Sequence, residues 1–148
     1  MNAQQYRAVI GWFNARPAAK KVLRAVSIGA VAAVYLLYLG LLAWLAWHAM
    51  WAQLGVTAVV PAAAFVVGMA LRAAIDRPRP YTKYGFVPLF PKNKTGQSMP
   101  SRHCFSAAAI AAAVWYVLPP LGAVLAVLAA VIAVSRVITG VHFVSDVL

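Results

Sequence analysis

From Val22 to Met50 the chain is one apolar run with no charged residue after Arg24. At ~1.5 Å per helical residue the run outlasts the ~30 Å hydrocarbon core of a bilayer, yet it is too short to turn and cross back. It therefore predicts a single crossing with tilt or overhang. Trp44, Trp47 and Trp51 crowd its far end as an interfacial aromatic belt does, and His48 among them is expected to face the same interface. Gln53 to Gly55 reads as a short polar break, after which Val56 to Leu71 runs back across, with Arg72 able to snorkel at its end. Cys104 to Leu118 and Leu121 to Val134 predict two more apolar helices, joined by a sharp turn at Pro119-Pro120. Arg136 to Val141 reads as a short loop bending at Gly140, and His142 as the start of a further helix that stops at Leu148. The expected architecture is an all-α transmembrane bundle of four spans plus the start of a fifth, with the last helix truncated, forming a single membrane-embedded domain over residues 1–148.

The polar parts are few. Residues 1–21 form a basic lead-in in which Tyr6 to Arg16 reads either as a short helix lying on the membrane or as plain polar chain. It is not expected to be a cleavable leader, because the apolar run after it is too long for a signal core. Residues 76–102, rich in Pro, Gly, Lys and Tyr, form the one long loop, whose aromatics Tyr81, Tyr84, Phe86 and Phe90 are expected to pack it onto the bilayer. Cys104 is the only cysteine and is expected to fill space between helices.

Charge narrows the chemistry. Thirteen Lys and Arg stand against two acids, Asp76 and Asp146. No basic helix stands apart from the apolar segments, which argues against nucleic acid and leaves lipid headgroups or phosphate-bearing substrates. Two acids and three histidines also supply too few ligands for a two-metal phosphatase, so no metal and no cofactor is expected.

Ionisable residues next to a bilayer are costly and carry a functional hypothesis by default. They fall in three clusters: Arg72 with Arg79-Pro80; Pro100-Ser101-Arg102-His103; and Ser135-Arg136 with Gly140, His142 and Asp146. Alternating helices bring all three to one membrane face. Arg72, Arg79 and Arg136 offer planar forks that match phosphate oxygens. Ser101 and the backbone N–H groups at the helix start add donors. His142 and Asp146 are spaced i, i+4, one helical face. Asp146 can then fix the imidazole tautomer and leave the other nitrogen free to attack phosphorus. His103, on another helix, can protonate the leaving oxygen and later activate water. Arg77 and Lys83 read as interfacial anchors, Asp76 as the partner of a neighbouring Arg, and Ser135 either as a helix-end hydrogen bonder or as part of the site.

These clusters resemble the three signature motifs of the type 2 phosphatidic acid phosphatase superfamily, the lipid phosphate phosphatases. Its pattern is Lys, six residues, Arg-Pro; then Pro-Ser-Gly-His; then Ser-Arg, five residues, His, three residues, Asp. The third motif is complete in Ser135, Arg136, His142 and Asp146; Arg72 replaces the Lys of the first and Arg102 the Gly of the second. The resemblance runs from about Val56 to the C-terminus and looks like that to small bacterial members. It implies a phosphohistidine on His142, orientation by Asp146, general-acid work by His103, and phosphate held by Arg72, Arg79, Ser101 and Arg136. Arg102 would add a fourth phosphate contact or point at headgroups. Implied substrates are undecaprenyl diphosphate, phosphatidylglycerophosphate and phosphatidate, and Lys92 and Lys94 would favour a doubly phosphorylated headgroup.

The alternative is a catalytically degenerate member acting as a membrane binding or structural protein. Haloperoxidases that use vanadate share a similar site but are soluble, which the lipid-facing runs here argue against. All thirteen cations are expected on the face shared by the N-terminus and the site, which the positive-inside rule places in the cytoplasm of a multi-pass cell-membrane protein.

Overall fold

The computed structural model describes residues 1–148 and is helical, without a β-strand. Helix α1 spans Ala3–Asn14, α2 Pro17–Trp47, α3 Trp51–Ile75, α4 Pro80–Tyr84, α5 Arg102–Val117 and α6 Pro119–Ile138, followed by a single 3-10 turn, Val144–Asp146. Helices α2, α3 and α6 are long and apolar enough to cross a membrane. Helix α5 has 16 residues, fewer than the ~20 a full crossing takes. The chain is thus a multi-pass membrane protein, with three helices long enough to span it.

Local chemistry sets the boundaries. Asn2 and Gln5 exchange side-chain-to-backbone bonds of 2.9 Å, a capping box that starts α1 within a basic segment. Pro17 opens α2 and Pro119 opens α6, where a missing N–H costs nothing. The break between α2 and α3 falls at His48 to Met50, not at Gln53 to Gly55, which are helical. Pro61 lies inside α3 and cannot donate to the carbonyl four residues back. That carbonyl, on Thr57, accepts instead from the Tyr38 hydroxyl at 2.9 Å, so the helix continues through the proline.

The core joins α2, α5 and α6. Ala30, Val34, Leu41 and Leu45 recur at helical spacing along one face of α2 and meet Cys104, Ala107, Ile110, Ala111 and Val114 of α5 with Leu125 and Ile132 of α6. Helix α5 lies close enough to α6 that a Cβ on Gly122 would stand 2.4 Å from the Trp115 Cα, so only glycine permits this hairpin. The outer faces stay apolar: Leu36 is 71% exposed, Val66 68% and Val127 65%, as lipid-facing residues are. Exposed Trp44, Trp47, Trp51, Trp115 and Tyr116 gather at the two interhelical turns opposite the charged end.

Two expectations are corrected. Helix α6 continues to Ile138, so Arg136 projects from a helix rather than a loop. His142 does not begin a helix. The chain turns at Thr139 and Gly140, where Gly140 has φ +75, and makes only the 3-10 turn before its end. This short element stands where the start of a fifth span was expected.

Candidate active site

The charged ends of α3, α5 and α6, the 76–102 loop and the 139–146 turn enclose a cavity of about 140 Å³. Arg72, Arg79, Lys92, Lys94, Arg102, Arg136, His103 and His142 line it, with Met69, Gln97 and Val141. Arg72 arrives from the last turn of α3 and is buried, with Nη1 donating to the Pro100 carbonyl. Arg79, also buried, donates from Nε to the Gly96 carbonyl at 3.1 Å and from Nη1 towards the Val141 carbonyl at 3.4 Å. The Nε atoms of Arg72 and Arg136 are buried and bond to nothing in the protein. Six cations thus surround one cavity, and no carboxylate lines it. Desolvation of the Lys92 ammonium, with Arg136, Arg79, Arg102 and Lys94 around it, pulls its pKa below the ordinary lysine range. Such an assembly is complementary to an anion with several oxygens.

Asp146 lies behind His142 and is fully held. Its Oδ1 pairs with Arg77 Nη1 at 2.7 Å. Its Oδ2 accepts the Phe143 N–H at 2.8 Å and the Ser98 hydroxyl. His142 Nδ1 stands 3.6 Å from the same Oδ2 and 3.5 Å from Ser98 Oγ. That is longer than a formed hydrogen bond, as is common before substrate tightens a site. With Nδ1 turned to this pair, Nε2 is the free nitrogen of an imidazole that lines the cavity.

Burial pushes the His142 imidazole below its ordinary pKa, against the opposing pull of Asp146, so the ring is neutral near pH 7. For Asp146 burial acts upward, but bonds from His142, Ser98 and the Phe143 N–H, with the Arg77 charge, hold it below the usual carboxylate range.

The structure brings His142, His103, Arg72, Arg79, Arg102 and Arg136 to the cavity. Ser101 is fully buried beside it: its N–H donates to the Asp146 carbonyl at 2.7 Å, while its hydroxyl has no partner. Ser135 points elsewhere, its hydroxyl donating to the Ile132 carbonyl at 2.7 Å and standing 3.2 Å from Ser27 Oγ.

Arg77 is not an interfacial anchor but the counter-ion of Asp146. Asp76 pairs with no arginine; it ends α3 at φ 37 and accepts the Gln97 N–H. The loop aromatics pack inward as well. Tyr81 is buried and donates to the Lys94 carbonyl, Tyr84 and Phe86 lie against Tyr6, and Phe90 lies under Lys20 and Arg24. Sequence reasoning missed Ser98, a lone serine whose only signal is its place just before Pro100-Ser101. A larger groove of about 550 Å³, between α5, α6 and the last residues, is lined by apolar side chains alone and offers a phosphate nothing.

A multi-pass helical protein with a cation-lined, two-histidine cavity at one end of its bundle is the class these features define. The family comparison is specific: the profile of the PAP2 superfamily matches residues 53–148, and the chain belongs to that superfamily. No curated protein sequence matches it significantly. Among solved structures it is similar to LpxE of Aquifex aeolicus, at 23% identity and TM-score 0.70, covering 99% of this chain and 85% of that one. It is also similar to a transmembrane PAP2 type phosphatidylglycerolphosphate phosphatase from Bacillus subtilis, at 23% identity and TM-score 0.65, covering 99% of this chain and 78% of that one. At these identities the likeness is one of fold.

Proposed function

We propose that the protein is a membrane lipid phosphatase that works through a phosphohistidine on His142 and uses no metal. The observation that carries this reading is the cavity itself, where two histidines from different elements face one space ringed by six unpaired cations. In the first step His142 Nε2 attacks phosphorus, forming the N–P bond as the bond to the leaving oxygen breaks. His103 gives that oxygen its proton. In the second, water attacks the phosphohistidine, His103 takes the water proton, and inorganic phosphate leaves with the electron pair returned to Nε2.

Arg72, Arg79 and Arg136 stabilise charge on the equatorial oxygens, and Arg102 reaches the same space from the start of α5. Ser101, with its unpartnered hydroxyl, supplies a further donor. Asp146 holds His142 in the tautomer that leaves Nε2 unprotonated. In this reading α5, despite its 16 residues, crosses together with α2, α3 and α6, so both chain ends and the cavity share one face, the cytoplasmic one by the positive-inside rule. The substrate is a phosphomonoester or pyrophosphate on a lipid, with undecaprenyl diphosphate, phosphatidylglycerophosphate and phosphatidate the three to compare. Their names come from the family resemblance, and the phosphatase named in the Bacillus subtilis structure supports including the second.

The test follows phosphate release from these three lipids in detergent with EDTA present. Release by the wild type and none by His142→Ala, with the variant inserted and folded, is the expected result. Undiminished release by His142→Ala would overturn the mechanism, and no release from any lipid would favour a binding protein.

A further inference from the structure

The helix at the N-terminus touches the reacting group's own backbone. Tyr6 is fully buried, and its hydroxyl donates to the carbonyl of His142 at 3.0 Å across 136 residues of sequence. Its ring stacks on Phe86 at 5.5 Å and meets the edge of Phe143, the residue after His142, at 6.3 Å. One helical turn on, Ile10 is buried on the same face, and its Cδ1 would lie 3.1 Å from a Cβ on Gly140. Arg7 donates to the Tyr84 carbonyl at 3.1 Å and ties α1 to the loop. The His142 turn therefore has no regular helix to hold it and is gripped from outside by α1.

We propose that Tyr6 is a positioning residue for the nucleophile: its hydroxyl fixes the His142 peptide, and so the direction in which Nε2 faces the cavity. The inference rests on the phosphohistidine reading. The argument is geometric. Residues 139–143 lie outside any helix, and although the N–H groups of Thr139, Gly140, Val141 and Phe143 are bonded, the His142 carbonyl accepts from Tyr6 alone, so the orientation of the His142 imidazole depends on that contact. Tyr6 supplies the one side-chain bond to the His142 carbonyl. A displacement of ~1 Å in a reacting group costs about a hundred-fold in rate. Tyr6 touches neither the cavity nor a phosphate-binding residue, so its loss acts on attack and not on lipid binding.

The test is Tyr6→Phe, which keeps the stacked ring and removes one oxygen. Phosphate release is measured on the most active of the three lipids, with competitive inhibition by inorganic phosphate as an independent probe of the anion cavity. The expected result is a kcat lowered roughly ten- to a hundred-fold, with KM, phosphate inhibition and thermal midpoint unchanged. An unchanged kcat overturns the proposal. A kcat that falls only together with weaker phosphate inhibition and a lower thermal midpoint also overturns it, because Tyr6 would then only stabilise the fold. Absence of phosphate release by the wild type is a different failure: it removes the phosphatase reading, and the role of Tyr6 falls with it.

Discussion

At the scale of single residues, the Asp146 carboxylate carries three firm bonds besides its contact with His142. Asp146→Asn keeps the size and loses the charge. It should lower kcat by about 10³- to 10⁴-fold, as loss of the correct tautomer does in a serine-protease triad, while inorganic phosphate still inhibits. The pH dependence has a definite sign. The folded pKa of His142 is lowered, so the ring stays neutral as pH falls past the ~6.5 of a free imidazole. The acid limb of kcat/KM should therefore lie below pH 6.5. Stability is lost as pH falls from ~6.5 towards the folded pKa, because the unfolded chain takes up that proton first. A limb above 6.5 would show that His142 is not the group held neutral here. Ser98→Ala removes the hydroxyl shared between Asp146 and His142 and should lower kcat with little change in KM, read from initial rates.

Motif spacing singles out Arg72, Arg79, Arg102, His103, Arg136 and His142, and the fold brings these six to one cavity. It does not single out Ser98, Arg77 and Tyr6. Each acts through one contact made by the fold, and nothing in a lone Ser, a loop Arg or an N-terminal Tyr marks that contact beforehand.

Among the elements, the α5–α6 hairpin has the least tolerance. Gly122→Ala places a methyl against the Trp115 backbone, which cannot move as a side-chain tip would, and should cost ~1–3 kcal/mol or more. A lower thermal midpoint in detergent checks this. Helix cores were easy to read, since long apolar runs permit little else. Boundaries were harder. The polarity of Gln53 to Gly55 suggests a break there, whereas the chain reverses at His48 to Met50, with Ala49 at positive φ. The His142 to Asp146 spacing suggested a helix, but Gly140 turns the chain and Oδ2 caps the Phe143 N–H, so the pair meets across a 3-10 turn.

For the whole molecule, the basic residues, the 76–102 loop and the 139–146 turn sit at one end, and the turns at His48–Met50 and Leu118 carry no Lys or Arg. Single cysteines at Asn2 and Asn93, in a background lacking Cys104, should be labelled by an impermeant reagent from the same side. One at Leu118 should be labelled from the other. Labelling of Asn2 and Leu118 positions from one side would remove the four-crossing arrangement.

Helix α5 is shorter than α6, 16 residues against 20, and begins at Arg102 beside the cavity. It runs about 24 Å, less than the ~30 Å of hydrocarbon around it. If α5 crosses as proposed, its shortness sets the cavity floor at about the depth where lipid headgroups begin. On the proposed reading, a lipid drifting within its own leaflet would meet the site sideways and have only to swing its headgroup inward, its chains staying among their neighbours. The search is then two-dimensional, and turnover should follow the lipid's mole fraction in the surface rather than its amount per volume of water.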